Sequence, residues 1–177
     1  MRRLVTRITL MLGAAILAGC SFGLSTGSDT LDPDKVEASI SERLTKQQPN
    51  LPVDSVTCPD GIKPVQGGTF ECTAHVEGAQ WPIGVTITNV DLGAENVTYD
   101  IKHTKALLIV EGIVESLKAT ARDQGFPNAD VDCGTEPYRV VEFGGAIECT
   151  VTAGGEQQVV RAVDDGDGDG GVHFEED

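Results

Sequence analysis

Twelve residues near the C-terminal end, 165–176, match a known ligand set position by position. Asp165, Asp167 and Asp169 stand at positions 1, 3 and 5, Gly170 at 6, Val172 at 8 and Glu176 at 12, the spacing of an EF-hand calcium loop. A hard divalent cation takes oxygen ligands, and this spacing would offer four carboxylates. The helices that flank such a loop are missing, because residues 159–163 before it and 172–174 after it read as strands. In that register the same acids sit solvated on a glycine-rich hairpin turn, and a hairpin does not return residue 12 to the ion. The hairpin is the expectation, and a calcium-dependent binding module is the alternative.

The five cysteines divide into one and four. Cys20 closes Leu17-Ala18-Gly19-Cys20, behind a basic start with Arg2, Arg3 and Arg7 and an apolar run over residues 8–17. That run is too short to span a bilayer as a helix and has the length of a signal-peptide core, so residues 1–19 are expected to be removed. The tetrapeptide resembles the lipobox of bacterial lipoproteins. The resemblance implies cleavage after Gly19 and a diacylglycerol on the Cys20 thiol, with small residues ahead of it to admit the peptidase. Two or more acyl chains, at roughly 0.8 kcal/mol per buried methylene, exceed what stable anchoring needs. An ordinary secretory leader with a chance cysteine is the alternative.

The other four cysteines fall as two pairs, Cys58 with Cys72 and Cys133 with Cys149. Export to an oxidising compartment makes disulfides the default. Each would close a loop of about 15 to 17 residues and add roughly 3 kcal/mol in the chain-entropy account. A metal or redox site is disfavoured, since no Cys-x-x-Cys occurs and His75, His103 and His173 are dispersed among strand positions expected at the surface.

No Walker glycine loop or His-Glu-x-x-His is present, so no enzyme and no cofactor are expected. A hydrolase with an unrecognised site would need a convergent cluster of perturbed acids. Trp81, the single tryptophan, stands before Pro82 and is expected in core or edge packing rather than as a ligand anchor. Asn96-Val97-Thr98 is a glycosylation sequon in form only, given a bacterial leader. The formal charge is −15, and removing 1–19 leaves ten basic against 28 acidic residues, a net −18. Such a chain repels nucleic acid, which is excluded as a partner.

The elements that carry these residues repeat. Gly67-Gly68-Thr69-Phe70-Glu71-Cys72 returns as Gly144-Gly145-Ala146-Ile147-Glu148-Cys149. The expected organisation is a flexible tether over 20–31 and two α+β repeats over 32–103 and 104–177. Each half holds about seventy residues, a size at which one apolar core is marginal. In the first, Asp32 caps and Pro33 opens a helix with Val36, Ile40 and Leu44 on one face, ended by Pro49 and Pro52. Strands follow over 53–58, 62–66, 69–76, 81–90 and 97–103, with Gly67 and Gly68 supplying positive φ to a tight hairpin. Phe70, Cys72, Ala74 and Val76 share one face of 69–76. In the second, Thr104 caps a helix with Ile109, Ile113 and Leu117 at the positions of Val36, Ile40 and Leu44, stopped by Gly125. Strands follow at 131–133, 138–143, 147–151, 159–163 and 172–174. Each repeat is thus one N-terminal helix on an antiparallel meander of about four strands, closed by one disulfide.

The lipobox, the helix, the Val-x-Cys strand start and the repeated Gly-Gly-x-[Phe/Ile]-Glu-Cys resemble an actinobacterial lipoprotein family that carries the domain of unknown function numbered 4333, here in two copies. Cys58 precedes Pro59, as that pattern prefers, whereas Cys133 precedes Gly134. The resemblance implies an exported, lipid-linked envelope protein, held on the extracytoplasmic face of the cell membrane; the function expected is a non-enzymatic module that binds or braces a protein, glycan or lipid of the envelope. It implies no catalytic residue.

Overall fold

The computed structural model describes residues 20–23, 30–91, 96–166 and 170–176. The expected signal peptide, 1–19, lies outside them. Among the described residues the chain divides after Thr104 into two compact units.

The first unit runs β1 (Cys20–Gly23), α1 (Pro33–Gln47), β2 (Val53–Thr57), β3 (Thr69–Val76), β4 (Ala79–Asp91) and β5 (Asn96–His103). Its strands form one antiparallel sheet in the order β1-β5-β4-β3-β2. Period-two alternation buries Cys72, Ala74 and Val76 of β3, Trp81, Ile83, Val85 and Ile87 of β4, and Val97 and Tyr99 of β5. Helix α1 buries Val36, Ser39, Ile40 and Leu44. It is tied to the sheet by the Tyr99 hydroxyl, which donates to Ser39 Oγ, and by Arg43 Nη1, which donates to the Tyr99 carbonyl at 3.4 Å.

Four expectations are corrected here. Asp32 makes no side-chain cap; its carboxylate lies 3.7 Å from Lys35 Nζ, while Pro33 at the first helical position removes a donor that would have needed a cap. Residues 62–66 form a loop, not a strand. Pro64 has no N–H for a ladder, the Val65 N–H turns back to the Lys63 carbonyl (2.9 Å), and the Ile62 carbonyl accepts from Leu31 N–H (2.7 Å). Of the two glycines, only Gly67 has positive φ (80°); at Gly68 a Cβ would meet the Val65 carbonyl oxygen at 2.9 Å, so close backbone approach excludes a side chain. The pair also extends the β4 ladder, through Gly67 N–H to Ile87 O and Ile87 N–H to Gly68 O, instead of turning a hairpin. The tight hairpin is at Glu77-Gly78, both at positive φ, between β3 and β4. Finally, residues 20–23 of the expected tether pair with β5, Cys20 opposite Tyr99, and residues 24–29 lie outside the described residues.

The second unit runs β6 (Ala106–Ile109), α2 (Val110–Asp123), β7 (Asp130–Asp132), β8 (Tyr138–Val141), β9 (Ala146–Ala153), β10 (Glu156–Asp164) and β11 (Val172–Glu176). A four-stranded antiparallel sheet has the order β11-β10-β9-β7, and β6 pairs with β8 in a separate two-stranded sheet. The core gathers Leu108, Val110, Ile113, Leu117, Val131, Ile147, Cys149, Val160 and Ala162.

The helix does not begin at Thr104. Ala106-Leu107-Leu108-Ile109 is apolar on every residue, offers no capping side chain, and pairs as a strand with β8, Leu107 opposite Val140. Ile109 is 52 % exposed, and Val110 takes the buried place expected for it. The stretch 138–143 accordingly leaves the meander: its strand ends at Val141 and belongs with β6.

Candidate functional site

Each unit is closed by its own disulfide. Cys58 and Cys72 join the end of β2 to β3 (Cα–Cα 4.3 Å), and Cys133 and Cys149 join the end of β7 to β9 (4.1 Å). The inward parity of Cys72 and Cys149 along their strands buries both at 1 % exposure, so these sulfurs are part of the core. Glu37 Oε1 on α1 accepts from the Cys58 N–H at 2.8 Å and fixes the start of the first crosslink against the helix.

The Asp/Gly stretch joins the two strands of a β-hairpin. Strand β10 pairs with β11 from Asp164 opposite Val172 to Val160 opposite Glu176, and Asp165 N–H donates to the Gly171 carbonyl at 2.9 Å. Glu176 is thereby four residue pairs from the turn, roughly 13 Å along the strands, and does not close a twelve-residue cation loop with Asp165. Asp167 and Asp169 lie outside the described residues. Asp165 instead holds His173, with Oδ1 at 2.6 Å from Nδ1. Among the described residues no group of three or more His, Cys, Asp or Glu could hold a metal ion.

The acid that matters to this turn is its neighbour, which sequence reading passed over. Asp164 is 1 % exposed, and its Oδ2 accepts from the Gly144 N–H (2.9 Å) and the Gly166 N–H (3.0 Å). One carboxylate thus clamps the glycine pair ahead of β9 to the turn after β10. A charged acceptor between two backbone donors is among the stronger hydrogen-bond arrangements.

Trp81 is buried at 3 % exposure, as expected of core packing. The expectation fails for His103, whose ring stacks on the indole with centroids 4.0 Å apart and planes 10° apart. His103 lies opposite Ile83 in the β4–β5 register, which makes Trp81 its diagonal neighbour. Burial pushes the His103 pKa below its ordinary 6.5 by disfavouring the imidazolium. His75 is the surface residue expected, its Nε2 lying 3.4 Å from Thr57 Oγ1.

A further site was not anticipated from the sequence. In the second unit Cys133, Arg139, Ala146, Ile147, Glu148 and Arg161 surround an open cleft of about 410 Å³. Arg161 on β10 stands opposite Glu148 on β9 and Glu175 on β11, and its Nη1 lies 3.1 Å from Glu175 Oε2. Arg139 on β8 pairs through Nη1 with Glu136 Oε2 at 2.8 Å. Two of the five basic residues in 105–177, against sixteen acids, therefore border one cleft. Their separation in sequence, 22 positions on strands of different sheets, carries no motif; only the charge scarcity hinted at it.

A family signature described as a domain of unknown function, DUF4333, matches residues 15–91. The chain carries this domain. The match runs to the end of β4, and the second copy expected over 104–177 is not part of it. No curated protein and no solved structure matches the chain. Among the described residues no helix is long and apolar enough to cross a membrane.

Proposed function

We propose that the chain is an exported lipoprotein, anchored to the extracytoplasmic face of the cell membrane through Cys20, and that it serves as a non-enzymatic binding or bracing module of the cell envelope. The observation that carries this reading is the use of cysteine. Two buried disulfides account for four of the five and call for an oxidising compartment, while the fifth stands behind a leader of signal-peptide form within Leu17-Ala18-Gly19-Cys20. A module of this kind needs no basic surface, in keeping with a net charge of −15.

We also propose that the two units are copies of one module, and that the domain found at 15–91 has a second, diverged copy after Thr104. The strand orders β5-β4-β3-β2 and β11-β10-β9-β7 support it, as does a constant register in which Cys72 pairs with Ile83 and Cys149 with Val160. Gly67 and Gly144 both take positive φ, and a Cβ at Gly68 or Gly145 would meet a carbonyl oxygen at 2.9 or 2.7 Å. The copies differ where α2 begins and where Asp164 replaces Ile87.

The anchoring is tested by growing cells expressing the chain with an alkyne-bearing palmitate. Wild type should take the label and fractionate with membranes, and Cys20→Ala should lose both. An unlabelled wild type, or a labelled Cys20→Ala, would overturn the reading.

A further inference from the structure

We propose that the cleft bordered by Arg139, Glu148 and Arg161 binds a small zwitterion, its anionic group between the two guanidinium groups and its ammonium on Glu148. The proposal rests on the chain's being a binding module and adds the chemical class of what it binds.

Charge selects the ligand. The two arginines and the glutamates within reach, Glu136, Glu148 and Glu175, sum to −1. A bare anion would meet that negative balance, and a bare cation would have to compete with two guanidinium groups for the same carboxylates. A ligand carrying both charges answers both halves of the site, the arrangement that gives specificity by complementarity rather than by net attraction.

Geometry adds the second part. Each ion pair engages one nitrogen, Nη1, of a guanidinium that has five N–H donors in a fixed fork. Among the described residues the other donors of Arg139 and Arg161 have no protein partner, so each can take a further carboxylate or phosphate oxygen. The outer glutamates hold the guanidinium groups in place before any ligand arrives, which lowers the ordering cost of binding. The Glu148 side chain makes no hydrogen bond or ion pair among the described residues, and it borders the same cleft. The volume, about 410 Å³, lies in the range of small-molecule sites.

The test is NMR of the full chain in detergent micelles, labelled with ¹⁵N in the arginine side chains, titrated with glycylglycine, phosphoethanolamine, N-acetylglycine and glycinamide. The Nε resonances of Arg139 and Arg161 should move saturably with glycylglycine or phosphoethanolamine. The two probes distinguish a carboxylate from a phosphate as the preferred anion. N-acetylglycine, which lacks the ammonium, should bind at least about tenfold more weakly, the value of one modest charged contact, and glycinamide should move neither resonance. Glu148→Gln should bring the affinity for the zwitterion down to that for N-acetylglycine. The proposal is overturned if neither zwitterion moves the two resonances at about a hundred times millimolar affinity, if Arg122 moves equally, or if glycinamide alone reproduces the shifts. Acylation at Cys20 is read independently of this titration, so failure here leaves the anchored module standing and removes only its ligand.

Discussion

Removing one disulfide at a time gives a quantitative check on the idea that each unit depends on its own crosslink. Cys58 and Cys72 are 14 positions apart and Cys133 and Cys149 are 16 apart. In the chain-entropy account, loops of about 15 and 17 residues each restrict the unfolded chain by about 3 kcal/mol, and the difference between them is only about 0.1 kcal/mol. For a unit of this size about 1 kcal/mol corresponds to 4–8 °C in Tm, so each double cysteine-to-alanine variant should melt roughly 12–24 °C lower. All four cysteines are buried, which adds a packing loss in the same direction. Trp81 is the only tryptophan, so its fluorescence follows the first unit through the Cys58/Cys72 experiment, and circular dichroism follows both variants. The two losses should be nearly equal. A drop below about 5 °C in either variant would show that apolar contacts alone hold that unit, against the expectation for so small a core. Strongly unequal losses would show that packing rather than loop closure sets the effect.

Two further outcomes follow from buried polar groups. His103 has a pKa lowered by burial, so the unfolded chain binds the proton more readily than the folded one; stability is fully present above pH 6.5, the unfolded value, and falls as pH drops below it. Tm should decline from pH 7 to 5, and the emission of the stacked Trp81 should titrate with a midpoint under 6.5; a flat fluorescence profile, or one unchanged in His103→Asn, would contradict the stacking. Asp164→Ala removes the acceptor of two backbone N–H groups and should destabilise the second unit by about 2–4 kcal/mol, measured by urea unfolding. A loss under about 0.5 kcal/mol would mean that the glycine turns hold without their clamp.

Much of the fold could be read where one physical rule acted alone. The alternation along β3 and β9 and the four-residue spacing of Val36, Ile40 and Leu44 each expose one apolar face, and burial followed it. Reading failed where two rules competed. Ala106-Leu107-Leu108-Ile109 runs into the helix without a polar break, so periodicity does not separate strand from helix there; the partner strand β8, about thirty residues on, decides it. Residues 62–66 have strand composition but meet Pro64 and a turn at Val65. The stacking of His103 on Trp81 is a diagonal contact, and Arg139 and Arg161 border one cleft from strands of different sheets; no local spacing encodes either. The EF-hand pattern shows the converse failure, since a motif that fits in letters is dismantled by the register that puts Glu176 opposite Val160.

If the units are copies, the register explains why the cleft belongs to one of them. Across β3, β4 and β5 the row is Glu71, Gly84 and Lys102; across β9, β10 and β11 it is Glu148, Arg161 and Glu175. The glutamate is shared, the central arginine is a glycine in the first unit, and the third position reverses its charge. A Cβ at Gly84 would lie 3.0 Å from Thr104 Cγ2, so a side chain there would require Thr104 to shift. Thr104 instead covers this place, its hydroxyl 3.3 Å from both Glu71 Oε2 and the Pro82 carbonyl. The first unit therefore satisfies its glutamate internally, while the second leaves Glu148 facing a cleft. A crosslink that supplies stability independently of surface residues allows such divergence, because exchanging glycine for arginine on the outer face of β10 does not touch the core formed by Ile147, Cys149 and Val160. Binding should accordingly be insensitive to Glu71→Gln and Lys102→Glu, and should be lost with Arg161→Gln.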